Sequence, residues 1–215
     1  DGNNYKISNM NIESANQYVG MFGYVSGGTI KNLILENQTV KSTYTTSISY
    51  IGGIAGYISS GTIENVSIVG TSSVENTSSA NAVYIGGIVG YANSITITNT
   101  STNANIIVNT TSSGQANAGG LIGYMGTGTV NKCYTIGNVT ASTDKGAINV
   151  GGVIGNKNSS SRVYITNVYT ISKVIATSNS GTIYTGGVIG YSNTMTVQQA
   201  YAVGKVIATS DSGKV

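Results

Sequence analysis

The chain has 215 residues, of which 40% are apolar and only 8% charged, with ten Lys/Arg against seven Asp/Glu for a net charge of +3. That balance excludes a disordered polar tail, and its few cations are too scattered for a nucleic-acid-binding face, which needs clustered Lys/Arg. His, Trp and Pro are absent and Cys133 is the single cysteine. An internal disulfide, a Cys/His metal cluster, and Ser/His/Asp or Cys/His catalysis are therefore beyond what these residues can build.

The chain begins with Asp1 rather than Met and shows no signal-peptide pattern, so the expectation is a processed or excised piece, and no apolar run approaches the length of a membrane-spanning helix. Residues 1 to 17 read as a turn followed by alternating apolar and polar positions. Tyr5, Ile7 and, past a corner at Asn9, Met10 and Ile12 face inward in an incomplete first coil. Next comes Val19-Gly20-Met21-Phe22-Gly23-Tyr24, the first copy of a motif that recurs as Tyr50-Ile51-Gly52-Gly53-Ile54-Ala55-Gly56-Tyr57 and as Tyr84-Ile85-Gly86-Gly87-Ile88-Val89-Gly90-Tyr91. Further copies end at Gly123, Gly155 and Gly190. The last glycines fall at 23, 56, 90, 123, 155 and 190, so the gaps are 33, 34, 33, 32 and 35 residues. A period that regular marks a repeat architecture.

Three apolar columns align within each repeat. The first holds Met21, Ile54, Ile88, Leu121, Val153 and Val188. The second holds Ile30, Ile63, Ile97, Val130, Ile165 and Val197, followed three residues later by Leu33, Val66, Thr100, Cys133, Val168 and Ala200. The third holds Val40, Val74, Ile107, Val139, Val174 and Val206. The patches are short, β-branched and bounded by Gly, Asn, Ser or Thr, which is strand chemistry, and no stretch has helical periodicity. A spacing of three, where alternation gives two, implies a corner. The corner residue is Asn32, Asn65, Asn99, Asn167 or Gln199, with Lys132 the exception, and Asn tolerates the left-handed conformation a sharp bend needs. Stacked coils would set these amides one above another.

Polar stretches such as Lys41 to Thr46 and Ala176 to Gly181 read as surface loops that absorb the variation in period. Residues 207–215 repeat the lead-in to a further motif, so the expectation is one β-solenoid domain over 1–215, an excerpt of a longer repeat protein. Three strands per roughly 33 residues favour a parallel β-helix of about six coils over a propeller, whose blades are longer. At about 4.8 Å per coil the rod is roughly 30 Å long.

Gly119-Gly120-Leu121-Ile122-Gly123-Tyr124, with Gly128 to Val139, resembles the GLUG repeat, which takes its name from Gly-Leu-any-Gly. The opening Asp1-Gly2-Asn3 with Ile7-Ser8-Asn9 is similar to the first coil of such domains. The resemblance implies a right-handed parallel β-helix in large secreted or surface-anchored proteins. Among these are adhesins and the non-catalytic part of bacterial immunoglobulin A metallopeptidases. Asn156 in place of the motif tyrosine, and Ser159-Ser160-Ser161 in place of the Gly-Thr turn, depart from the pattern and put the regularity of the fifth coil in question.

No catalytic, cofactor-binding or metal-ligating residue is assigned, and no enzyme activity is expected. Glu36 with Glu64, or Glu64 with Glu75, are carboxylate pairs that neighbouring coils could bring together, but nothing in their spacing demands it. The glycine motif lacks the helix and Gly-Lys-Ser/Thr ending of a phosphate loop, so its glycines read as turn and packing residues. Tyr24, Tyr57, Tyr91, Tyr124 and Tyr191 share one repeat position. They read as a stacked ladder, with an aromatic platform for sugar rings as the alternative. Cys133 sits in an apolar column and reads as a small buried hydrophobe. Asn-X-Ser/Thr sequons occur about as often as composition alone produces, and Asn76, Asn109 and Asn158 are the loop candidates for glycosylation. The expected role is a non-enzymatic structural or adhesive module at a cell surface or outside the cell. Its partners would be another copy end to end or a host or matrix protein or glycan, without nucleic acid. A carbohydrate-binding or carbohydrate-cleaving β-helix is the alternative.

Overall fold

A computed structural model describes residues 1–111 and 113–215. Among them every regular element is a strand, and every strand pairing is parallel. Each full coil runs through three sheets. The strand Ile48–Gly52 and its counterparts Ala82–Gly86, Ala116–Gly119, Ile148–Gly151 and Ile183–Gly186 build the first sheet. A long bent strand such as Ala55–Val69 or Ile122–Thr135 builds the second, and a short one such as Ser73–Asn76 or Val139–Thr143 builds the third. The fold is a β-solenoid with three strands per coil, as the spacing predicts.

The register follows the period. Phe22 pairs with Ala55, Ala55 with Val89, Val89 with Ile122, Ile122 with Ile154, and Ile154 with Ile189. Those steps of 33, 34, 33, 32 and 35 residues reproduce the glycine spacing. A parallel stack demands this, because a one-residue slip would turn every inward side chain outward. Ile63, Ile97, Val130 and Ile165 form an in-register column with almost no exposure, as do Ile54, Ile88, Leu121 and Val153. Each such side chain contributes about 1.5–3 kcal/mol through its removal from water. Cys133 lies buried between Val168 and the preceding coil, its Sγ 3.2 Å from the Asn131 carbonyl. Burial pushes its thiol up to about 12.

The corners are the predicted ones. Asn32, Asn65, Asn99, Lys132, Asn167 and Gln199 all have φ between 47° and 54°. Asn65 Nδ2 donates to Asn32 Oδ1, and Asn99 Nδ2 donates to Asn65 Oδ1, each at 3.1 Å. Lys132 breaks the ladder because it has no amide, and Asn167 donates instead to Asn131 Oδ1 at 3.0 Å.

The glycine motif spans two strands, its Tyr-Ile-Gly half in the first sheet and its last Gly-Tyr in the second. Not every expectation holds. Ile107 is not a member of the third column. Ile106 pairs with Val74 and Val139 and is buried, whereas Ile107 lies beside Glu75 and Thr140 on the outer side. Lastly, the variation in length is not confined to the loops beside the third sheet, where Ser14 and Tyr18 are four residues apart but their partners Ser42 and Tyr50 are eight apart. Tyr124 and Gly128 are four residues apart, but their partners Asn156 and Val163 are seven apart, so three residues are inserted within the second sheet of the fifth coil. The strand breaks there, between Ile154–Lys157 and Val163–Ile171, yet both flanks keep their register. That coil is interrupted, not irregular.

Candidate functional site

The glycine motif turns sharply so that two sheets come back to back. A Cβ added at Gly52 would meet the Ala55 carbonyl, and one at Gly90 would lie 2.5 Å from Ile51 N and 2.7 Å from Gly56 O. Only a bare backbone fits between the strands. That closeness sets the outward tyrosine of one strand against the outward tyrosine of the other.

Two rows of tyrosine result. Tyr24, Tyr57, Tyr91 and Tyr124 stack with ring centroids 5.0, 5.0 and 4.5 Å apart and planes within 9°. Tyr18, Tyr50 and Tyr84 form a second row, stacked at 5.3 and 5.4 Å. The rows meet edge to face: Tyr50 lies 5.4 Å from Tyr57 and 5.5 Å from Tyr91 at nearly 90°. Offset stacking within rows and edge contacts between them are the two arrangements the aromatic quadrupole favours. The half-buried hydroxyls resist ionisation. Tyr50 is pushed up to about 12, first by burial and then by the charge that Tyr84, Tyr18 and Tyr57 would carry, and Tyr57, Tyr84, Tyr91 and Tyr124 are raised chiefly by burial.

The ladder reading of Tyr24, Tyr57, Tyr91 and Tyr124 therefore describes their geometry. Tyr191 stands apart, separated from Tyr124 by Asn156 and meeting Tyr184 edge to face at 5.1 Å. The second row went unrecognised in the sequence, although Tyr50 and Tyr84 hold one place in the motif. A third stack of Tyr134, Tyr169 and Tyr201, at 5.0 and 5.3 Å, runs one residue past the Cys133 column.

The double row has one gap. In the first sheet Tyr84 is followed by Asn117 and Asn149 before Tyr184, and in the second Tyr124 is followed by Asn156 before Tyr191. The three asparagines converge. Asn117 Oδ1 accepts from Asn149 Nδ2 at 2.9 Å and from Asn156 Nδ2 at 2.6 Å, and all three are buried. A notch of about 210 Å³ opens there, lined by Gln115, Asn149, Asn156, Asn158, Tyr184 and Tyr191. The inserted loop forms one rim, where Tyr124 Oη donates to the Asn158 carbonyl at 3.0 Å. Lys157 occupies the core position of Met125 in the preceding coil. Its ammonium donates to Ser159 O and Oγ, each at 2.7 Å, and burial pulls its pKa down.

The carboxylates do not pair with one another. Glu64 has Lys31 and Thr98 as register neighbours, Glu75 has Lys41 and Ile107, and Glu36 has Ser8 and Val69. Glu36 is held below the usual carboxylate range by hydrogen bonds from Lys6 and Ser8, and Glu13 meets Lys41 at 2.9 Å. Among the described residues no three His, Cys, Asp or Glu gather in a possible metal site, and no helix is long and apolar enough to cross a membrane. Of the three loop candidates for glycosylation, Asn109 and Asn158 are exposed. Asn76 faces inward, its amide donating to the Ser78 carbonyl at 3.1 Å, so the folded coil does not offer it.

These features define a parallel β-solenoid with an aromatic spine and one polar gap. A solved structure of a putative immunoglobulin A1 protease from Bacteroides ovatus matches it with a TM-score of 0.68 and 23% identity, covering 97% of this chain and 68% of that one. At that identity the likeness speaks for the fold alone. No protein-family model and no curated protein matches the chain.

Proposed function

We propose that this chain is a non-enzymatic, GLUG-type β-helical module of a secreted or cell-surface protein, serving as a rigid stalk or adhesive segment. The observation that carries the reading is the unbroken in-register stack. Three parallel sheets tie every coil to the next, which resists bending along the whole rod and suits a spacer. The solved neighbour is described as a putative immunoglobulin A1 protease, and a β-solenoid matching 68% of it is compatible with a non-catalytic module of a larger protein. Partners in this reading are a further copy end to end or a host or matrix surface.

The test is protease treatment of intact cells of the source organism. The segment is expected to be released or degraded while a cytosolic marker survives. Protection until lysis would overturn the surface assignment, and cleavage of immunoglobulin A1 by the isolated segment would overturn the non-enzymatic one.

A further inference from the structure

We infer that the asparagine gap in the tyrosine spine is a binding site for one neutral sugar ring. Three features converge on it. First, three departures from tyrosine on two different sheets, Asn117, Asn149 and Asn156, fall at one place, where independent drift along the rod would scatter them. Second, Asn156 lines the notch and its Oδ1 is buried without a partner, as is Nδ2 of Asn117 directly behind it. An orphaned buried amide atom lowers stability, so a fold that keeps two of them in touching side chains is poised for a ligand group. A ligand hydroxyl donates, and so can serve Asn156 Oδ1, the orphan that belongs to a lining residue. Third, the wall is aromatic. Tyr184 is 45% exposed and stands edge to face with Tyr191, offering the apolar surface on which the C–H face of a pyranose packs.

Charge and size narrow the class. No lining residue is charged, and Lys157, between the lining Asn156 and Asn158, spends its ammonium on Ser159. An anion would find no charged partner among the lining residues. The volume is below the roughly 300–1,000 Å³ of sites for drug-sized ligands, which fits one ring or the terminal residue of a chain. The three-residue insertion of the fifth coil carries Asn158 onto the rim, so the same local event shapes both gap and wall. This site does not depend on the surface or stalk role: binding by the purified chain stands or falls whichever compartment the protein occupies.

The experiment titrates the purified chain with the methyl glycosides of glucose, galactose, mannose and N-acetylglucosamine, followed by calorimetry and by the NMR side-chain amide signals of Asn117, Asn149 and Asn156. At least one glycoside is expected to saturate with a Kd near the millimolar range and to move those signals. Asn156→Tyr, which restores the residue found in the other coils, should fill the gap and weaken binding at least about tenfold without lowering the unfolding temperature. Should that variant fail to fold, Tyr184→Ala at the rim tests the same site, with an expected loss of about 2–10-fold. Silence from all four glycosides, amide signals that stay fixed during binding, or unchanged affinity in a folded variant would overturn the proposal and leave the notch a hydration site.

Discussion

Replacing Tyr57 with alanine asks whether the spine holds the coils together. Tyr57 has four ring neighbours, stacked on Tyr24 and Tyr91 at 5.0 Å and edge to face with Tyr18 at 5.8 Å and Tyr50 at 5.4 Å. Aromatic pairs contribute about 0.5–1.5 kcal/mol each beyond their buried area, and contacts sharing one ring do not add fully, so Tyr57→Ala should destabilise by roughly 2–3 kcal/mol. For a chain of this size that corresponds to a fall in Tm of about 4–12 °C. The matched control is Tyr164→Ala, because Tyr164 is 47% exposed and has no ring neighbour among the described residues. Thermal and urea unfolding followed by circular dichroism would compare the two, with the control expected to change by less than about 0.5 kcal/mol. Equal effects would refute the ladder as a source of stability, and the tyrosines would then be surface residues that happen to align.

Gly90→Ala should be more damaging than its single methyl suggests. The new Cβ would lie 2.5 Å from Ile51 N and 2.7 Å from Gly56 O, backbone atoms that cannot step aside, so we expect a loss above about 3 kcal/mol or no soluble protein. Gly27→Ala, whose Cβ has only Ser60 Oγ at 3.7 Å, should be nearly neutral, and equal expression and melting of the two variants would contradict the close-approach argument. Lys157→Met places an apolar side chain where the preceding coil has Met125 and removes a buried ammonium. A gain on the order of 1 kcal/mol in urea unfolding is expected, and a loss would mean that the bonds to Ser159 outweigh desolvation. Stability should also fall in alkali. The folded chain holds the Tyr50 proton to about 12 against an ordinary 10.0, so this contribution is complete below pH 10 and is lost as pH rises through 12. Lys157 works the other way, since its lowered pKa gives stability that is present above 10.5 and lost as pH falls. Several spine tyrosines are raised against one lysine, so the net slope should be downward, and a Tm that rises from pH 9 to 11 would refute the burial of the spine hydroxyls.

Much of the architecture was legible in the sequence because a stacked solenoid reuses each position. Ile63, Ile97 and Val130 share one environment, and the amides at Asn65 and Asn99 repeat one backbone requirement, φ near 50°, that few residues tolerate. The period gave the register, since a parallel stack leaves no other pairing that keeps Ile and Val inward. The tyrosine row through Tyr57 was legible for the same reason. What the sequence could not fix was how the sheets meet. Tyr50 and Tyr57 are seven residues apart and look independent. Only the turn at Gly52 and the bare backbone at Gly56 and Gly90 bring their rings to 5.4 Å. The same folding-back makes one site of Asn117, Asn149 and Asn156, which lie up to 39 residues apart in the chain and hydrogen-bond in the structure. Periodicity determines what stacks along the axis, because each coil repeats the one before it. What touches across the axis depends on how closely two backbones approach, and the tertiary structure alone decided that.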